Sequence, residues 1–346
     1  MNNASGFRVL NGDDESDIVA WERLWQLWPE REVFAHPAYL ALFSDEGSTH
    51  CAVYEIEGAT VLYPFILRPI PGSGSVADFD TTTPYGYGGA ITFGPQKAVL
   101  SADFWFHYDV WAANAGVVSE FVRFSLNDES LIDYPGAVTY KQDNIVRNLS
   151  LTAEELWMDF DHKVRKNVKK AIRSDVQVVV DDDGSRLDEF LAIYESTMDR
   201  RDAGRGYYFP REFFEAIHRN LRGQFVYFHA IHDGRVVSTE LVMSSEKTVY
   251  SFLGGTLNDS FDVRPNDLLK HEVMLWGMAN GKTDFVLGGG FQPDDGIFRY
   301  KKAFAPSGAR PFSVGTRVIN PQRYAELTSL STQPAPSSGF FPAYRA

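Results

Sequence analysis

The sequence predicts an α/β (α+β) protein of two tandem domains, each a mixed, mostly antiparallel sheet flanked by helices. Two observations carry this. Short apolar or alternating runs of strand character take turns with segments whose apolar residues recur at helical spacing. The order of these segments also repeats. Each half reads strand, two helices, three strands, helix, strand and a return strand, and an internal repeat bears on the whole architecture. The chain has 346 residues, 44% of them hydrophobic and 23% charged. That is enough for two cores of ordinary size.

In the first half, Phe7 to Leu10 is a strand. Ile18, Trp21, Leu24, Trp25 and Trp28 then mark an amphipathic helix stopped by Pro29. Pro37 to Phe43 is a second, short helix. His50 to Glu55 and Thr60 to Leu67 form a hairpin turned at Glu57-Gly58, and Val76 to Asp80 is a third strand. A loop of aromatics and glycines follows, from Pro84 to Gly89. Ala102 to Ala115 is a helix, Ser119 to Leu126 a strand and Ile145 to Leu149 another.

The second half opens with a strand at Val176 to Val180 and a helix carrying Leu187, Phe190, Leu191, Tyr194 and Met198. Pro210 suits the first turn of the next helix, whose inner face holds Phe213, Phe214, Ile217 and Leu221. Gln224 to Ile231 and Val236 to Met243 form a hairpin around Asp233-Gly234, a strong turn dipeptide. Val249 to Leu253 ends at Gly254-Gly255. Leu268, Leu269, Val273, Trp276 and Ala279 line a helix closed by Gly281. Phe285 to Leu287, a short helix around Tyr300, and Phe312 to Val318 complete the set. The expected boundaries are a domain over 1–150, a basic linker helix over 151–175, a second domain over 176–328 and a disordered Ser/Pro/Ala-rich tail over 329–346.

Composition sets limits. A single cysteine, Cys51, forbids an intrachain disulfide and fits a reducing compartment. No basic-then-apolar leader pattern opens the chain. The longest apolar run, Val61 to Ile70, is short and broken by prolines, so no membrane insertion is expected. The expectation is a cytoplasmic protein; its oligomeric state is not legible. The eight histidines are scattered, with no metal-ligand spacing. A net charge of −13 argues against broad coating of nucleic acid, though not against a local basic patch that grips one RNA end.

Two stretches stand out. In Lys282 to Pro306, KTDFVLGGGFQPDDGIFRYKKAFAP, a buried-type strand runs into three glycines, a turn at Asp294-Asp295-Gly296, and a helix where Ile297, Tyr300, Lys301 and Phe304 share a face. A lysine at an apolar-periodic position must be paired, snorkel, or face a cleft. In Thr152 to Ser174, a capping box (Thr152, Glu155) precedes six cations, with Arg165, Lys169 and Arg173 on one face at four-residue steps. Such a helix is either a solvated linker or, in an acidic protein, a phosphate-binding face.

These stretches resemble the Fem family of aminoacyl-tRNA-dependent peptidyltransferases, built from two GNAT-fold domains. DF..GGG followed by FRYKKAF is similar to the family's C-terminal signature. Here it reads Tyr300-Lys301-Lys302-Ala303-Phe304-Ala305, with Tyr for the commoner Phe and Ala305 for the usual Gly. Pro84 to Gly89 matches the first-domain loop PYGYGG. Arg165, Asn167, Lys170 and Ala171 match a basic R-x-N-x-x-K-A pattern. The resemblance implies amide formation between an aminoacyl-tRNA and an amine of a small peptide or cell-wall precursor, with aminoacyl-tRNA as co-substrate and no cofactor or metal. It implies that Lys301 stabilises the oxyanion or leaving group, that Tyr300 lines the site, and that the arginine of Arg201-Asp202 contacts acceptor phosphates. Arg200 and Arg205 compete for that last place. On the residues themselves, Tyr85 and Tyr87 offer stacking and hydroxyls to an acceptor, Tyr250 lies mid-strand near Gly254, and Lys302 joins Arg165, Lys169 and Arg173 as candidates for the RNA end. Asp294 and Asp295 are candidate bases by position, with turn formation as their other role.

Two alternatives remain. An acyl-CoA-dependent N-acyltransferase needs a glycine-bearing pyrophosphate loop at a helix start; Asp262 to Asp267, before Leu268, has no glycine. A non-catalytic binding protein on the same fold is the other.

Overall fold

The computed structural model describes residues 6–45, 47–56, 58–71, 78–94, 101–292, 294–330 and 340–346. The chain opens with β1 (Gly6–Asn11) and α1 (Glu15–Leu27). Asp14 caps α1 by accepting from the amides of Ser16 and Asp17, and Trp21, Leu24 and Trp25 form its buried face. Two of these indoles close the following turn: Trp21 Nε1 donates to Ala35 O at 3.0 Å and Trp25 Nε1 to Glu32 O at 2.7 Å. Then come α2 (Pro37–Ala41), β2 (Ser48–Ile56), β3 (Ala59–Pro69), β4 (Phe79–Thr82) and β5 (Ile91–Phe93). Glu57 of the expected turn, and Val76 of the expected third strand, lie outside the described residues; the strand itself is β4. After α3 (Ser101–Asn114) come β6 (Val117–Arg123) and β7 (Ala137–Asn148).

The expected single basic helix is two. The predicted capping box forms at Thr152 and Glu155 and starts α4 (Ala153–Asp159). Phe160 and Asp161 are extended, and α5 (His162–Arg173) begins afresh, burying Val164, Val168 and Ala171. The repeat then runs through β8 (Gln177–Asp181), α6 (Leu187–Arg200), α7 (Arg211–Asn220), β9 (Phe225–His232), β10 (Arg235–Ser244) and β11 (Thr248–Thr256). It ends with α8 (Pro265–Ala279), β12 (Asp284–Gly288), α9 (Gly296–Lys302), β13 (Ala309–Val318) and α10 (Pro321–Leu330).

Two units organise these elements. Unit 1 takes residues 1–141 and 311–346; unit 2 takes residues 142–310. In unit 1 the strand order is β1-β2-β3-β4-β6-β13, with β5 on β3. Every pair is antiparallel except β4 with β6, which α3 connects as a crossover. In unit 2 the order is β8-β9-β10-β11-β12-β7, again with one parallel pair, β11 with β12, joined by α8. The mixed, mostly antiparallel sheets flanked by helices are as expected.

The boundaries differ from expectation, for reasons of strand pairing. Val314–Val318 of β13 pairs with Ser119–Arg123 of β6, so the chain leaves unit 2 well before residue 328. Ile145–Asn148 of β7 pairs with β12, which draws the end of the first repeat into unit 2. Residues 151–175 are no linker, because the buried face of α5 belongs to the core of unit 2 with Leu268, Leu269 and Val273 of α8. The tail is also corrected where it is described; residues 331–339 lie outside. Tyr344 Oη shares a hydrogen bond with Ser119 Oγ at 2.7 Å and donates to Asp80 Oδ2 at 3.2 Å. Arg345 pairs with the same carboxylate, 1% exposed, at 2.5 Å. The tail aromatics are there to cover α10: Phe341 stacks on Tyr324 at 5.8 Å.

Candidate active site

A cleft of about 710 Å³ opens in unit 2, walled by the end of α6, strands β10 and β11, the start of α8, and α9. Lys301 stands in it for a local reason. The pairing of β12 with β7 slips between Val286 and Gly288, and Gly288 takes φ +82°, a conformation open to glycine. This bulge turns the Gly289 carbonyl toward α9, where it accepts from Lys301 Nζ at 2.7 Å. Asp295 starts α9 by accepting from Phe298 N at 2.7 Å, and its other oxygen accepts from Phe291 N and Gln292 N. That carboxylate is therefore spent on the cap. Asp294, at φ +54°, is exposed and makes the turn. Burial, then the nearby Lys270 charge, lowers the Lys301 pKa to about 8, against the opposing pull of Glu240 and Asp295.

Around Lys301 and the expected Tyr300 is a polar set of which sequence reasoning missed Asn266, Asp267, Lys270, Glu240 and Ser251. Tyr300 Oη accepts from Asn266 Nδ2 at 2.8 Å, and burial raises its pKa far above the ordinary value. Asp267, the next residue of α8, accepts from Asn167 Nδ2 of α5 at 3.0 Å; burial raises its pKa. Lys270 is 7% exposed, and its ammonium bonds Glu240 Oε1 at 2.5 Å and Ser251 Oγ at 2.8 Å. The signal for Lys270 was present, since Asn266, Lys270, Val273 and Gly277 share one stripe of α8 that faces inward. It is the same signal that singled out Lys301. Glu240 had none beyond an acid inside an apolar strand.

The other candidates are dispersed. Arg201 and Arg200 both line the cleft. Arg200 is engaged by Thr256 O at 3.1 Å and by the Phe261 ring at 5.0 Å, which leaves Arg201 the better placed of the two. Arg205 is not among the lining residues. Tyr250 is 6% exposed and does not line the cleft, whose β11 lining begins at its neighbour Ser251. Tyr85 and Tyr87 belong to unit 1. Tyr85 is exposed on a second pocket of about 590 Å³ that also holds Arg68, Arg123 and Arg345. Tyr87 packs edge-on against Phe34 at 5.3 Å and Phe312 at 5.8 Å.

On the basic helix, Arg165 folds back to donate to the carbonyls of Met158, at 2.8 Å, and Phe160. Lys169 lies over the Trp157 ring at 5.7 Å, and Arg173 is exposed. Among the described residues no carboxylate pairs with Lys166, Lys169, Lys170 or Arg173, while the Lys163 charge acts on Asp267. Lys302 points away from the cleft, exposed beside Phe298. Among the described residues no group of three or more His, Cys, Asp or Glu is placed to hold a metal, and no helix is long and apolar enough to cross a membrane.

A family described as an acetyltransferase (GNAT) domain matches residues 159–302, a stretch that takes in α5, the cleft and Lys301. UDP-N-acetylmuramoylpentapeptide-lysine N(6)-alanyltransferase of Weissella viridescens is 22% identical over 173 residues, covering 49% of this chain and 50% of its own. The chain thus matches about half the length of that relative. Among solved structures, FemX superposes with a TM-score of 0.69 at 12% identity, covering 89% of this chain and 98% of its own. The C-terminal domain of a putative lysylphosphatidylglycerol synthetase from Agrobacterium fabrum does so at 0.57 and 13%, covering 87% and 91%. With the strand order and the crossover helices, these similarities show the GNAT fold, and the chain resembles Fem proteins in sequence over about half its length and in fold over most of it.

Proposed function

We propose that the protein moves an aminoacyl group from aminoacyl-tRNA to an amine of a peptide or peptidoglycan-precursor-like acceptor, forming an amide. Lys301 carries the reading. An ammonium held against a backbone carbonyl in a wide cleft is a fixed positive charge where an oxyanion or a leaving alkoxide develops. An aminoacyl ester is already activated, so attack by an amine needs positioning and charge stabilisation and no covalent enzyme intermediate. Arg201 and Tyr300 line the same cleft and serve the acceptor.

For the donor, α5 supplies cations unmatched by described carboxylates, and its Asn167 bonds the cleft residue Asp267. Lys169, Arg173 and Lys302 are proposed to take RNA phosphates. A tRNA donor places the reaction in the cytoplasm. The acyl-CoA alternative has less support: the turn into α8 has Arg264 in a left-handed conformation and Pro265 at the first helical position, which removes an amide a pyrophosphate would use.

The test is a transfer assay with purified protein, labelled aminoacyl-tRNA and a panel of peptide amines. Product should form, and ribonuclease should abolish it. Product that survives ribonuclease and requires acetyl-CoA would replace this reading with the acyl-CoA one.

A further inference from the structure

We propose that Glu240 is the general base of this site, a catalytic residue held in place by Lys270. The inference rests on the amide-forming reading above. Amide formation leaves a proton on the attacking nitrogen that some group must take. Lys301 serves as the charged partner of the leaving oxygen while it is an ammonium, so it cannot accept that proton in the same step. Asp295 has both oxygens committed to backbone amides. Asp267 accepts from Asn167 and from its own backbone amide, and neither of its oxygens is left buried without a partner. Glu240 remains.

Its geometry is unlike that of a structural ion pair. Glu240 lies on β10, 3% exposed, in the wall of the cleft. Oε1 accepts from Lys270 Nζ at 2.5 Å, and Lys270 is itself anchored by Ser251 Oγ at 2.8 Å. Oε2 is buried and has no hydrogen-bond partner in the protein. A buried carboxylate kept for stability satisfies both oxygens, since an orphaned one costs about 1–3 kcal/mol. Here one oxygen is clamped and the other is unspent beside the cleft that holds Lys301. An N–H donor is the partner it lacks, and the attacking amine is one.

A neutral acceptor amine attacks the acyl carbonyl carbon, and as the C–N bond forms its proton passes to Glu240 Oε2. Collapse of the intermediate breaks the acyl C–O bond, and the leaving oxygen takes a proton from Lys301. The proton on Glu240 then returns through solvent to Lys301, and both groups are as they began. Lys270 is a positioning residue: it fixes the carboxylate rotation and touches no substrate.

The experiment compares wild type, Glu240→Gln, Glu240→Ala and the double variant E240Q/K270M, which removes both charges of the pair and so avoids a buried unpaired lysine. Each is assayed with aminoacyl-tRNA and with acetyl-CoA. Glu240→Gln and the double variant should fold and lose kcat by ~10²-fold or more, the span of general-base catalysis, with KM little changed. Glu240→Ala should recover rate with added formate. The loss should shrink with hydroxylamine as acceptor, a nucleophile that depends less on proton removal. A folded Glu240→Gln or double variant within about threefold of wild-type kcat overturns the inference while leaving the transfer reading intact. A loss that is equal for all nucleophiles and unmoved by formate overturns it too, since Glu240 would then be structural. Wild-type protein that makes no amide from either donor removes the transfer reading and this inference together.

Discussion

Lys301 and Lys302 are adjacent in sequence and opposite in circumstance. One is drawn against Gly289 O in the cleft; the other is exposed beside Phe298. Lys301→Met should lower kcat by ~10²-fold or more, the scale of one lost oxyanion contact, while Lys302→Met leaves the chemical step nearly unchanged. Equal, mild effects would show Lys301 to be an ordinary lysine. Its lowered pKa adds a pH test. If the ammonium is the active form, kcat falls as pH rises through about 8. Stability moves the other way: between about 8 and the ordinary 10.5 the unfolded chain binds more protons at this position, so stability rises across that window. The cost of burying the charge is therefore fully present below about 8. Lys301→Met should raise Tm at neutral pH, with an advantage that fades by pH 10.5, as thermal melts across this range would show. Lys301 was legible because it sat on an apolar stripe next to a glycine run. Glu240 was not, since what distinguishes it is an unpaired oxygen, and only the folded neighbourhood shows that.

At the scale of elements, the hairpins and amphipathic helices were plain in the sequence, because turn dipeptides and apolar spacing act locally. The misses are long-range. Strand β11 was expected to stop at Gly254, yet it runs to Thr256. A Cβ on Gly255 would sit 2.9 Å from Ile193 O and 2.4 Å from Thr197 Oγ1, so glycine there admits α6 against the strand and does not end it. The basic stretch teaches a similar lesson. Its four-residue spacing put Arg165, Lys169 and Arg173 together, but Arg165 is used up on the carbonyls that end α4. Substituting Arg165 by Gln should accordingly cost about 1 kcal/mol of stability, visible in denaturant unfolding, with little change in donor affinity. Lys169→Gln with Arg173→Gln should do the reverse. The log–log dependence of donor binding on salt should flatten by roughly 0.7–0.9 per residue removed. An unchanged slope would return α5 to the role of a solvated helix.

For the whole molecule, the repeat disclosed the order of elements but not their partners. Periodicity says that β7 and β13 are strands; it does not say which edge each one joins, and the unit boundaries follow from that choice. The C-terminal residues were misjudged for the same reason. Ser, Pro and Ala content suggested disorder through 346, whereas Tyr344 and Arg345 satisfy the buried Asp80. A chain ending at residue 339 would leave that carboxylate to Arg68 alone. We expect it to lose about 1–3 kcal/mol, read as a lower Tm, and Asp80→Asn in the shortened chain should restore part of the loss. An unshifted Tm would mean that the carboxylate is satisfied without these residues.

The pairing of β13 with β6 has a consequence for biosynthesis. Translation proceeds from the N-terminus, and domains that fold as they emerge do so in that order. Unit 2 is complete in the nascent chain once Arg310 has left the ribosome, because all its residues are by then made. Unit 1 began first yet finishes last: the open edge of β6 waits for Val314–Val318. Through that interval the first-made half carries an unpaired strand edge, the surface on which other chains can add. Chaperone demand and misassembly should therefore concentrate on the half of the protein that was synthesised earliest.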